Sequence, residues 1–175
     1  TTTPTEIPTA TPTATPTPTP VQSDEVARCI IEDLPEDKDK DRDGVLDECE
    51  TTDLFGVMQA RGLGSLDLSR IILPIRTDPG VRDTDGDGLT DQEEIVGKVA
   101  TIGRMAKDPE GNKFYQAADE ETKGQLFVTN PTDPDSDNDG ISDAAELDRF
   151  TYGYVTNPTS EDTDGDGVSD FDEIF

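Results

Sequence analysis

Three features of the sequence predict a mostly irregular repeat array with short helices, a small antiparallel β component and an extended, Thr/Pro-rich polyproline II N-terminus. One acidic twelve-residue pattern recurs along the chain, only 30% of the residues are hydrophobic, and the first 20 residues divide into Thr/Pro tetrads. The chain has 175 residues and a net charge of −27, from 41 acidic and 14 basic side chains. By composition alone it would be disordered. The same balance argues against a nucleic-acid partner, because phosphate binding needs a basic surface.

The acidic pattern is D-x-D-x-D-G-φ-x-D-x-x-E, with φ apolar. It spans Asp39 to Glu50, Asp83 to Glu94, Asp135 to Glu146 and Asp162 to Glu173 without a mismatch. Carboxylates at positions 1, 3 and 5 converge on one point if the backbone turns sharply at position 6, where Gly44, Gly88, Gly140 and Gly167 tolerate the dihedral angles required. A Glu at position 12 closes the cage with two oxygens, and the position-7 carbonyl and position 9, directly or through water, complete six to eight oxygens. The predicted ligands are Asp39, Asp41, Asp43, Val45, Asp47 and Glu50 in loop 1, and Asp83, Asp85, Asp87, Leu89, Asp91 and Glu94 in loop 2. In loop 3 they are Asp135, Asp137, Asp139, Ile141, Asp143 and Glu146, and in loop 4 Asp162, Asp164, Asp166, Val168, Asp170 and Glu173. An oxygen-only ligand set selects a hard cation, and a chain with no His offers little to zinc or copper. The expected cofactor is Ca²⁺, about four ions or more, and because such clusters repel strongly without a cation, the array is calcium-stapled. Four ions would move the net charge from −27 to −19.

The flanks separate these loops from a standard EF-hand. The apolar residue is at position 7 instead of position 8, and a proline lies four residues before every loop: Pro35, Pro79, Pro131 and Pro158. Proline there blocks an incoming helix. Three of the four belong to Thr77-Asp78-Pro79, Thr129-Asn130-Pro131 and Thr156-Asn157-Pro158. The unit T-[DN]-P-x3-DxDxDGφxDxxE-[IL] resembles the bacterial form of the thrombospondin type 3 repeat, most closely from Asp148 to Glu173. The resemblance covers the loops and their flanks, under half of the chain. It implies a secreted, calcium-loaded, elongated array with little regular secondary structure, and no activity. The affinity expected of extracellular calcium modules, roughly 10⁻⁴ to 10⁻³ M, suits the outside of a cell.

Taken in order, four segments are expected. Residues 1–22 form a stalk or linker whose tetrads each begin with Thr and end with Pro, extending roughly 60 Å at about 3.1 Å per residue as polyproline II. Its hydroxyls at Thr1, Thr2, Thr3, Thr5, Thr9, Thr11, Thr13, Thr15, Thr17 and Thr19 are candidates for O-glycosylation; the alternative is an undecorated linker.

Residues 23–76 hold loop 1. Ser23 caps a helix with Val26, Cys29 and Ile30 on one face. Cys29 and Cys49 bracket the loop, and a disulfide between them would contribute about 3 kcal/mol through chain entropy; the alternative is a pair of free thiols. The apolar stretch from Leu54 to Ile75 is read as a helix to about Arg61, a turn at Gly62 and Gly64, and a strand ending near Pro74. It supplies core, or else a partner-binding surface.

Residues 77–128 hold loop 2, a short helix from Asp91 to about Val96, and an insert. A turn at Lys107 to Asn112 and strand candidates around it and at Gln125 to Val128 make a small antiparallel sheet. Residues 129–175 hold loops 3 and 4, which start 27 residues apart and should pair. The apolar turn Phe171, Ile174, Phe175 docks on its own domain or meets another chain.

No run of 18 apolar residues is present to span a membrane, and no signal peptide is visible, as expected of a mature exported chain. An enzyme is disfavoured. There is no His for a nucleophile pair, nearly every clustered carboxylate is taken as a ligand, and there is no Trp and little Tyr to stack on a sugar. The expectation is an extracellular or cell-surface structural protein, a subunit of a filament or similar assembly, associating with itself or another surface protein and carrying O-glycans. The alternative is a calcium-dependent spacer or a dockerin-like adhesion module from a larger secreted or surface protein.

Overall fold

A computed structural model describes residues 28–31, 34–61, 73–107, 109–118 and 123–175. The Thr/Pro tetrads, the start of the Ser23 helix, and the Gly62/Gly64 turn with most of the strand expected after it lie outside the described residues.

Helices in the described chain are short: α1 Asp47–Glu50, α2 Phe55–Arg61, α3 Asp91–Val96, α4 Asp143–Leu147 and α5 Asp170–Ile174. Four of them begin at position 9 of a loop. In loops 2, 3 and 4 position 8 is Thr90, Ser142 or Ser169, and its hydroxyl accepts from the backbone N–H three residues on, which ends the loop and starts the helix. Thr90 and Glu93 complete a reciprocal capping box. Loop 1 has Leu46 there and no side-chain cap. The helix then carries Glu at position 12 in its opening turn, turned back toward the loop.

The strands are β1 Lys98–Ala100, β2 Gly103–Lys107, β3 Lys113–Ala117, β4 Gln125–Phe127 and β5 Tyr154–Val155. β1 pairs antiparallel with β4, Val99 opposite Leu126, and β2 pairs antiparallel with both β3 and β5 in a second sheet of order β3-β2-β5. The insert between loops 2 and 3 is thus an excursion: out along β1, through the β2–β3 hairpin, and back along β4. At its base, a Cβ on Gly103 would run into the Gln116 carbonyl, so the hairpin closes only around a glycine there.

A core forms where loop 1, α2 and α3 meet. Cys29, Val45, Cys49, Leu54, Val57, Met58, Ile75, Ile95 and Val128 are buried together, with Ile30, Leu46 and Phe55 packed against them. The expected disulfide is present: Cys29 and Cys49, 20 residues apart, are bonded with a Cα–Cα distance of 5.7 Å. The expected helix to Arg61 and its core role hold for Leu54, Val57, Met58 and Ile75. Ile75 returns beside loop 1 through paired bonds, Leu54 N–H to the Ile75 carbonyl (2.9 Å) and Ile75 N–H to Asp53 Oδ1 (3.1 Å). No described helix is long and apolar enough to cross a membrane.

Candidate metal centres

Each acidic loop is wound by its own carboxylates. Position 1 accepts from the position-6 glycine N–H through Oδ2, at 3.1, 3.1, 3.0 and 2.7 Å in loops 1 to 4. Position 3 accepts from the position-5 N–H through Oδ1, at 3.2, 3.2, 3.1 and 3.1 Å. Position 5 accepts from the position-7 N–H through Oδ1, at 2.7, 2.7, 2.7 and 3.0 Å. Each bond ties one carboxylate oxygen to backbone; the second oxygen of Asp39, Asp41, Asp43, Asp85 and Asp135 has no donor, whereas that of Asp83 and Asp162 also accepts from the position-4 glycine N–H. The glycines at position 6 have φ of 97°, 113°, 105° and 96°, which side chains rarely adopt.

The oxygens do converge. In every loop, ligand atoms of positions 1, 3 and 5 lie within 4.8 Å of one another: Asp39, Asp41, Asp43; Asp83, Asp85, Asp87; Asp135, Asp137, Asp139; and Asp162, Asp164, Asp166. Buried oxygens with no hydrogen-bond donor mark the same points. They are Asp39 Oδ1, Asp41 Oδ2, Asp43 Oδ2 and Glu50 Oε2 in loop 1, Asp85 Oδ2 and Glu94 Oε2 in loop 2, and Asp135 Oδ1 and Glu146 Oε2 in loop 3. A buried acceptor without a donor is costly. Several converging on one point fit a hard divalent cation, which would satisfy them all. The residues at positions 1, 3, 5 and 12 would hold that ion.

Electrostatics agree. Burial, reinforced by neighbouring carboxylates, pushes Glu94 and Glu146 up to about 10, Glu50 and Asp143 to about 8, Asp43, Asp85 and Asp137 to about 7, and Asp91 to about 6. Burial and mutual repulsion thus disfavour the charged carboxylates of a metal-free loop, and a bound cation would reverse that preference.

Position 9 behaves differently from the other acidic positions. Asp91 accepts from Thr84 N–H (2.7 Å) and Thr84 hydroxyl (2.8 Å), Asp143 from Ser136 (2.9 and 2.7 Å) and Asp170 from Thr163 (3.0 and 2.7 Å). Asp47 engages Lys40 through its N–H and its ammonium. Both oxygens therefore hold position 2, a Ser or Thr in loops 2 to 4 and Lys40 in loop 1, a position that the repeat pattern leaves open. Position 9 also faces the preceding loop: Asp91 lies within 4.8 Å of Asp43 and Glu50 of loop 1.

Successive loops dock on one another. Asp87 Oδ2 accepts from Ala144 N–H at 2.7 Å, and Asp139 Oδ2 from Phe171 N–H at 3.1 Å, each joining position 5 to position 10 of the next loop. Between loops 1 and 2, Arg82 donates to the Arg42 carbonyl at 2.8 Å, and the side chain of Gln92, again at position 10, fills the space where Gly44 would carry a Cβ. The same carboxylate-to-amide joint links loops 2 and 3 and loops 3 and 4.

A family model of the bacterial TSP3 repeat matches residues 83–96, 135–148 and 162–174. The chain carries bacterial TSP3 repeats. The three TSP3 matches are loops 2, 3 and 4 together with the helices that follow them. TSP3 repeats are calcium-binding structural modules, in agreement with the carboxylate clusters. Loop 1 lies outside the three TSP3 matches but makes the same internal bonds. No curated protein and no solved structure matches the chain.

Proposed function

We propose that the protein is an extracellular calcium-binding structural protein, a subunit of a cell-surface filament or similar assembly that Ca²⁺ makes rigid, with O-glycans on its Thr/Pro stalk. The observation that carries this reading is the convergence of buried, donorless carboxylate oxygens in loops 1 to 3. With a small core and a net charge of −27, the chain draws its cohesion from the ions. Assembly is supported by an exposed aromatic group beside loop 4, where Phe175 contacts Tyr152 and Phe171 with ring centroids 4.9 Å apart in each pair. All-oxygen sites of roughly millimolar to submillimolar affinity fill outside a cell, which supports the location.

Calorimetric calcium titration followed by light scattering before and after chelation tests both parts. The expected result is four or more ions per chain and linear particles that a chelator disperses. A chain that takes up no calcium would overturn the reading. A calcium-loaded monomer at high concentration would remove the filament and leave the spacer or adhesion module.

A further inference from the structure

The dipeptide that opens each T-[DN]-P segment faces two loops at once. Thr77 donates its hydroxyl to Glu50 Oε1 at 3.1 Å, Thr129 to Glu94 Oε1 at 3.1 Å and Thr156 to Glu146 Oε1 at 2.8 Å, so each threonine reaches back to the position-12 glutamate of the loop before it. The next residue reaches forward. Asp78 N–H donates to Thr84 Oγ1 at 2.9 Å, Asn130 N–H to Ser136 Oγ at 2.9 Å and Asn157 N–H to Thr163 Oγ1 at 2.8 Å, which is position 2 of the loop that follows. That hydroxyl in turn donates to the position-9 carboxylate.

The threonine–glutamate bonds are buried at both ends. A flexible glutamate at the start of a short helix would otherwise have to give up its rotamer freedom when it meets an ion. Here Oε1 is held by a donor inside the protein, while Oε2 of Glu50, Glu94 and Glu146 has none. One oxygen is anchored and the other is left for the cation.

We propose that Thr77, Thr129 and Thr156 are positioning residues for calcium. Each fixes the glutamate of the preceding loop in its ligating rotamer, and through the adjoining backbone N–H each couples the ion in one loop to the order of the next. The inference rests on the calcium-binding reading above. It goes beyond it by giving the threonine of the flank a role in affinity, with the hydroxyl, and not the methyl group, as the working part. The consequence is a chain of sites in which filling one loop pins the start of its successor.

Calcium titration by calorimetry on the full chain tests this with T129V, T129S and E94Q. Thr129→Val should weaken one ion roughly tenfold, as loss of a bond that orients a metal ligand does, and should speed amide exchange at 130–136, the flank that leads into loop 3. Thr129→Ser should stay within about threefold of the unmodified protein. In the Glu94→Gln background, adding Thr129→Val should change affinity less than about twofold, because the two act through one bond. Equal affinities for T129V and the unmodified protein would overturn the proposal. So would equal losses in T129V and T129S, or additive losses with E94Q. If the unmodified protein binds no calcium, the underlying reading fails instead. If T129V does not fold, Thr156→Val at the third loop carries the same test against Thr156→Ser.

Discussion

Loops 3 and 4 match at every defined position of the repeat and make the same three internal bonds, yet they differ in what covers them. Ile141 at position 7 is 2% exposed, whereas Val168 at the same position is 41% exposed. Glu146 is buried under Thr156; Glu173 faces solvent. Burial pushes Glu146 up to about 10, while Asp162 in loop 4 is held below the usual carboxylate range by the Gly167 N–H. The winding of a loop is local, written in twelve residues. Its burial is supplied by the repeat that docks on it, through Phe171 on Asp139 and Thr156 on Glu146.

The largest expected effect is chelation. Stripping calcium at neutral pH should abolish the cooperative melting transition. Amide exchange should rise most in loops 1 to 3, whose buried carboxylates then repel, and least in loop 4, already exposed. An unchanged melting curve would break the idea that ions hold the body together.

Next in size is a single ligand. Asp137→Asn should cost loop 3 on the order of 100-fold in calcium affinity and lower the melting temperature of the calcium-loaded protein. Asp164→Asn should weaken loop 4 but move stability by only about 0.5 kcal/mol, as exposed substitutions do. Equal losses of stability would erase the distinction between the two loops.

The pH response of the metal-free chain should follow the same division. Asp137, Asp143 and Glu146 are raised to about 7, 8 and 10, above their unfolded values of about 3.8 to 4.5, so the folded state holds more protons in that window. Stability of the metal-free protein should therefore rise on acidification from about pH 8 to 5 and fall as pH climbs. Calcium affinity should move the other way, because protons and the ion compete for the same oxygens. Thermal melts across that range, with and without chelator, check both signs.

The smallest effect separates two glycines. Gly140→Ala and Gly167→Ala both place a side chain at a strained φ, of 105° and 96°, costing about 1–3 kcal/mol each. Only at Gly140 would the new Cβ also press on the Phe171 ring, at 3.2 Å, adding about 1 kcal/mol, measurable by denaturant unfolding.

Much of this was legible in the sequence. The loop spacing placed Asp39, Asp41 and Asp43 and their counterparts together, the helix after loop 2 begins and ends at Asp91 and Val96, and the cysteines bracketing loop 1 are bonded. Less visible were positions where the pattern tolerates any residue. Position 4 adopts positive φ in every loop, at Arg42, Gly86, Asn138 and Gly165, and only the Asp-Gly and Asp-Asn pairs in three of them hinted at it. The role of Thr84, Ser136 and Thr163 in holding position 9, and the docking of Ala144 on Asp87, depend on residues that meet only after folding. A spacing rule within one loop carries no information about the face it shows to its neighbour.

Loops 2 and 3 begin 52 residues apart and loops 3 and 4 begin 27 apart, but both pairs end in the same carboxylate-to-amide joint. The joint between neighbouring loops is thereby independent of how much polypeptide is strung between them. A foreign hairpin spliced into the tip of the β2–β3 excursion should leave that joint as it was, which makes the excursion a natural place to mount cargo.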